Sequence, residues 1–206
     1  MNVLVLGASG GTGLEVVERA RERGHSVTAF VRSRKALARF DGAVNVVEGN
    51  PLDRAELLRT IPGNDAVISA LGPRDARSHE ALVGPYARTL TQAMTECGVS
   101  RLIIVSVAFL FRNAVIPPAY PLGLLLFKHH VLDCADMEEV VRGSSLDWTI
   151  VRAPQLTDKP RAKNYRVRAG HLPLLGFTCS RANVADFMVR AMEDDTYSRE
   201  VVGVAD

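Results

Sequence analysis

Residues 3–17, VLVLGASGGTGLEVV, constrain the fold of this chain more than any other stretch. The apolar run Val3–Leu6 breaks at Gly7, and helical period takes over at Thr12. Leu14, Val17 and Ala20 lie along one stripe, Glu15, Glu18, Arg19 and Glu22 lie away from it, and Gly24 stops the pattern. Gly7, Gly10 and Gly13 stand at three-residue spacing across the junction. Gly7 permits a tight turn, Gly10 lets backbone N–H groups approach an anion, and Gly13 lets helix pack closely on strand. This strand–loop–helix unit places a pyrophosphate at the positive end of the helix. Ser9, Gly11 and Thr12 add donors in the same loop.

The rest of the chain repeats this alternation. Short apolar runs at 3–6, 26–31, 44–48, 66–70, 101–106 and 148–152, with a last one at 200–204, are separated by segments of helical period. Most of the runs are continuously apolar, as strands covered on both faces must be. Helices are expected at 12–23, at 53 onwards, where Asp53 and Glu56 form a capping box, and at 79–97, 128–142 and 181–193. With 206 residues, 47% apolar and 23% charged, the chain can bury the core of one such sheet. The expected fold is α/β, a Rossmann-like doubly wound parallel sheet of about six to seven strands with helices on both faces, in a single domain. Residues 109–127, apolar and rich in proline, read as an irregular insertion at the substrate crevice.

Composition narrows the partners. A net charge of +2 without a basic stripe argues against nucleic acid and for a small molecule. Cys97, Cys134 and Cys179 are odd in number and widely spaced, which suits free thiols in a reducing, cytoplasmic setting. The amino terminus lacks a signal-peptide pattern, and prolines interrupt the longest greasy region, 102–127, so no membrane association is expected. His129 and His130, adjacent on a helix, point in different directions, and no metal site is expected.

The crevice residues follow from the strand ends. About 20 residues past the loop, where an acid would hold the ribose of NAD, stands Arg32, so NADP(H) is expected to be preferred over NAD(H), with Ser33, Arg34 or Lys35 helping. Asn50, Pro51 and Leu52 after the third strand are expected beside the adenine. Ala70, Leu71 and Gly72 after the fourth allow close backbone approach, and Arg74 reaches a phosphate or stays solvated. Ser106 is either a nicotinamide or substrate contact or a capping serine, and Val107, Pro154 and Gln155 border the same position. Phe109 and Phe111 either stack on an acceptor or belong to the core, while Asp158, Lys159 and Arg161 read as a solvated loop.

Taken together, the loop GASGGTG, the strand end VRSR, the phrase ALG and the later phrase LDWTIVRAPQL resemble the atypical short-chain dehydrogenase/reductases. The stretch VSVAFLF, followed by a proline-containing insertion, is similar to the NAD(P)H-binding, NmrA-like flavin reductase/biliverdin reductase B subgroup. The resemblance implies hydride transfer from NADPH to a flavin, linear tetrapyrrole or quinone-like ring, with Ser106 and Gln155 nearest the chemistry. The alternative it leaves is an NADP(H)-binding redox sensor without turnover. Tyrosine-dependent members need a Tyr-x-x-x-Lys pair, and none occurs here: Tyr86, Tyr120, Tyr165 and Tyr197 are followed at that spacing by Leu90, Leu124, Ala169 and Val201. Tyr120 is expected in a proline-braced loop. Val107 and Gln155 replace a serine and a histidine of the subgroup, which points away from biliverdin and towards flavin. A monomer or homodimer is expected, with 115–127 as a second possible contact surface.

Overall fold

A computed structural model describes residues 1–40, 42–72, 81–111, 119–162 and 164–206, the side chains of 119–126 and 195 excepted. In chain order the elements are β1 (Asn2–Leu6), α1 (Gly11–Glu22), β2 (Ser26–Val31), β3 (Asn45–Glu48), α2 (Arg54–Thr60), β4 (Ala66–Ser69), α3 (Val83–Cys97), β5 (Arg101–Val107) and α4 (Ala119–Gly143). There follow β6 (Asp147–Ala153), β7 (Gln155–Thr157), β8 (Arg166–Ala169), β9 (Thr178–Ser180), α5 (Arg181–Glu193) and β10 (Glu200–Ala205). Among the described residues no helix is long and apolar enough to cross a membrane.

One sheet runs in the order β3-β2-β1-β4-β5-β6-β10-β8, parallel throughout except for β8 against β10. The chain moves outward from β1 to β3 and then returns to β4 on the other side of β1. That reversal opens a crevice beyond the carboxyl ends of β1 and β4. Register fixes what faces it: Leu6 lies beside Ser69, Ser69 beside Ile104, and Ser106 beside Arg152.

The continuous apolar runs are explained by two covered faces. Val3 and Val5 pack with Val16, Val17, Val184 and Met188 of α1 and α5. Leu4 and Leu6 pack with Leu57, Leu90, Met94 and Met137 of α2, α3 and α4. Fully burying each such side chain contributes about 1.5–3 kcal/mol, so both faces are needed to hold one strand in register.

Four expectations need correction. The sheet has eight strands rather than six to seven: β8 was hidden because Arg166 and Arg168 flank Val167, a charged pattern suited to an antiparallel edge. Of the capping box only half forms. Asp53 accepts from Ala55 and Glu56 N–H at 2.8 and 3.3 Å, but the Glu56 carboxylate accepts from Asn50 N–H at 2.5 Å. Helix α3 begins at Val83, with Ala81 and Leu82 outside it, because its cap comes from α4: Asp133 accepts from Leu82, Val83 and Gly84 N–H at 2.8, 2.9 and 2.8 Å. Gly84 leaves room for this, since a Cβ there would lie 2.1 Å from Asp136 Oδ2.

The fourth correction concerns 109–127. Residues 112–118 lie outside the described residues, but the backbone is helical from Ala119. Pro121 falls in the first turn, where its missing N–H costs no intrahelical bond. The expected boundary at 127 survives only as a kink at Phe127 (φ −120°, ψ 20°). Tyr120 therefore stands on a helix, with Leu124 one turn on.

Candidate functional site

At the crevice lies a cleft of about 620 Å³ lined by Gly7, Ser9, Gly10, Gly11, Arg32, Ser33, Lys35, Pro51, Ala70, Leu71 and Gly72, among others. A hollow of about 700 Å³ at the opposite, amino-terminal edge, bordered by Asn2, His25, Asn45 and Arg59, lies away from the strand carboxyl ends.

The three loop glycines play separate parts. Gly7 has φ +74°, and a Cβ on it would lie 2.7 Å from Leu71 N and 2.8 Å from Ala70 C. At Gly13 a Cβ would sit 2.1 Å from Gly7 O, so helix and turn are in backbone contact. Gly10 is the helix N-cap, and its N–H donates to Gly7 O at 2.9 Å. The first N–H groups of α1, from Gly11, Thr12 and Gly13, have no intrahelical acceptor, and Gly10 offers no side chain to cap them. A phosphate there would satisfy them and meet the positive end of the helix dipole, so the residues present fit a dinucleotide. Thr12 and Gly13 are buried beneath the loop.

The basic strand end is also sorted. Arg32 is exposed and makes no ion pair among the described residues. Arg34 turns away: its N–H donates to Glu48 Oε1 at 2.7 Å, and its Nε lies 3.8 Å from Glu48 Oε2. Arg32, Ser33 and Lys35 thus remain for an anion. Of the adenine-side candidates only Pro51 lines the cleft; Asn50 is exposed, its Oδ1 accepting from Leu52 N–H at 3.1 Å in a local turn, and Leu52 is also exposed. Arg74 lies outside the described residues.

The β5–β6 end of the crevice is built differently. The Ser106 hydroxyl is buried and donates to Glu138 Oε1 at 2.7 Å, so it faces α4. Glu138, buried on α4, also accepts from Arg152 Nε and a terminal nitrogen at 2.8 and 2.6 Å, and from Arg142 at 3.2 Å. The Arg152 guanidinium in turn lies 4.5 Å from the ring centre of buried Phe111. Phe111 therefore belongs to the core, with Ala108 and Leu172, rather than to an acceptor stack. Phe109 remains half-buried, its ring centre 6.4 Å from that of Phe127 at the α4 kink. Val107 and Pro154 are half-buried at the ends of β5 and β6, and Gln155 is exposed at the start of β7.

Two buried thiols and two phenols are held in their neutral forms. Burial pushes the Cys134 and Cys179 thiols up to about 12. Burial likewise holds the phenols of Tyr86 and Tyr165 above the ordinary tyrosine range; Tyr86 donates to Ser69 Oγ at 3.1 Å and Tyr165 to Asp186 at 2.8 Å. Among the described residues no group of three His, Cys, Asp or Glu is arranged to hold a metal.

Sequence reasoning missed three contributors. Glu138 and Arg152 were read only as parts of a helix and a strand, and Arg181 only as a helix start. Arg181 lines the cleft, and its side chain lies against Gly11. Neither it nor the buried cluster carries a local motif.

Comparison with known proteins agrees with this geometry. A family model described as NAD(P)H-binding matches residues 7–195. An uncharacterised chloroplastic protein of Arabidopsis thaliana is 30% identical over 98% of this chain and 75% of its own length. A short-chain dehydrogenase/reductase of Veillonella parvula DSM 2008, solved in complex with NADP, has the same fold: TM-score 0.84 at 20% identity, covering 100% of this chain and 94% of that one. ChuY, an anaerobillin reductase from Escherichia coli O157:H7, superposes with TM-score 0.78 at 20% identity over 100% of this chain and 97% of its own. The glycine cradle, the uncapped first turn of α1 and the match over residues 7–195 lead to one assignment: the chain belongs to the NAD(P)H-binding family.

Proposed function

We propose that this chain is an NADPH-dependent reductase acting on a flavin-like, linear tetrapyrrole or quinone-like acceptor. The observation that carries this reading is the cleft that joins the glycine cradle to Arg32 and Lys35 at the switch point of the sheet. Residues 1–206 then serve as one cofactor domain. Gly7, Ser9, Gly10, Gly11, Thr12 and Gly13 hold the pyrophosphate. Arg32, in the place of an acid, meets the 2′-phosphate and favours NADP(H) over NAD(H).

When bound, the cofactor supplies hydride; the residues around it orient the acceptor and exclude water. Phe109, just past the end of β5, and Phe127 at the α4 kink offer apolar ring surface. Ser106, whose proton is given to Glu138, retains an oxygen lone pair, and Gln155 supplies an amide. Neither is a strong acid, so the accompanying proton comes from solvent. A conjugated acceptor tolerates this, and the helix that begins at Ala119 carries leucine, not lysine, one turn after Tyr120. The description of ChuY as a reductase supports turnover rather than binding alone. Three free cysteines support a reducing, cytoplasmic setting, and the partner is a small aromatic molecule bound by a monomer or homodimer.

The test is loss of dihydronicotinamide absorbance with purified protein, NADPH and a panel of FMN, riboflavin and quinones. Acceleration by at least one acceptor is expected; tight NADPH binding with no turnover across the panel selects the redox-sensor reading. The commitment of Ser106 to Glu138, which removes a proton donor from the crevice, is the observation in that reading's favour.

A further inference from the structure

We propose that Arg181 is a cofactor-binding residue, a cation delivered from α5 across the glycine loop to the pyrophosphate and held beforehand by Asp158. The inference rests on the NADP(H) reading above and adds to it a ligand from the far end of the chain. A Cβ built on Gly11 would lie 2.8 Å from both Cδ and Nε of Arg181. The arginine stem therefore rests on the first residue of α1, where the uncapped N–H groups are, and any side chain at position 11 would displace it.

Neither of its present surroundings accounts for this placement. Helix α5 is already capped by Ser180, whose Oγ accepts from Asn183 N–H at 3.1 Å, and a cation at the first helical residue opposes the helix dipole. The ion pair with Asp158, 2.6 Å long, has a partner whose side chain is 89% exposed, and such pairs stabilise little. An anion in the cleft accounts for it. Among the described residues the cleft has no acidic lining side chain, and its cations stand in two places: Arg32 and Lys35 at the end of β2, and Arg181 over Gly11. Two separated anionic groups, the 2′-phosphate and the pyrophosphate, match that division. On binding, Arg181 exchanges the Asp158 carboxylate for a phosphate oxygen, and both are charge-assisted hydrogen bonds.

The experiment is equilibrium titration of the full chain with NADPH and NADH, followed by dihydronicotinamide fluorescence. Arg181→Met is expected to weaken both cofactors by the same factor, roughly ten-fold, whereas Arg32→Met weakens NADPH alone. Asp158→Asn, which removes the competing carboxylate, is expected to tighten both. Wild-type affinity in Arg181→Met, or a loss confined to NADPH, overturns the assignment. So does unchanged or weaker binding in Asp158→Asn, which decides the matter should Arg181→Met fail to fold. If the wild-type chain binds neither cofactor, the reading beneath is wrong, and that outcome is distinct from all of these.

Discussion

The two ends of the crevice are held by opposite means. At the β1–β4 end, backbone approaches backbone: Gly7, Gly10 and Gly13 bring a turn, a strand and a helix within contact, and polar groups are left open for a ligand. At the β5–β6 end, side chains close on one another, with Ser106, Arg142 and Arg152 all donating to one buried carboxylate, Glu138. The first end is held because nothing larger than hydrogen fits at Gly7 and Gly13. The second is rigid because each charge depends on the others to offset its desolvation.

If that contrast is right, each end fails in its own way. The largest effect is expected from Gly13→Val. Its Cβ would meet Gly7 O at 2.1 Å with backbone on both sides, so the loss should be on the order of 5 kcal/mol or more by urea unfolding. Next comes Arg152→Leu, which removes the two shorter arginine hydrogen bonds of buried Glu138 and leaves it Ser106 and the longer bond from Arg142, and should cost about 3 kcal/mol. Adding Glu138→Leu should recover part of that loss, and a double variant less stable than Arg152→Leu alone would break the comparison.

The smallest effect concerns acid and the face beneath the glycine loop. The hydrogen bond from Arg23 holds the Glu193 carboxyl below its ordinary 4.5, against the burial that raises it, with His25 helping. Burial raises the Asp186 carboxyl, but the Tyr165 hydrogen bond and the charges of Arg19 and Arg161 bring it below 3.8. Both folded-state values lie below the unfolded ones, so these groups stabilise the fold fully above about pH 4.5 and lose that contribution as pH falls further. Hydrogen exchange should show α1 and α5 loosening first in acid. Glu193→Gln should flatten the acid limb by less than about 1 kcal/mol.

The same contrast governs what could be read from sequence. The cofactor end is local: the glycine spacing, the apolar runs and Arg32 each lie within a short stretch of chain, and eleven residues named from the sequence line one cleft, from Gly7 to Gly72, with Arg32, Ser33, Lys35 and Pro51 among them. The acceptor end is made of partners far apart in the chain. Ser106 meets Glu138 across 32 residues, and no spacing rule announces that its hydroxyl turns towards α4. Asn50 and Leu52 were drawn in by their nearness to Pro51, but the local turn they make spends the Asn50 side chain on Leu52. The helical start at Ala119 was obscured by prolines, which break a helix in its interior and fit in its first turn.

The carboxylate that caps α3 also sets an order in time. Val83 N–H waits for Asp133, 50 residues downstream. While the chain is being made, the first turn of α3 has no acceptor from this side chain until residue 133 has emerged. A chain ended before α4 would carry α3 with its start unanchored. The start of α3 is therefore fixed late, after the glycine loop has already been made.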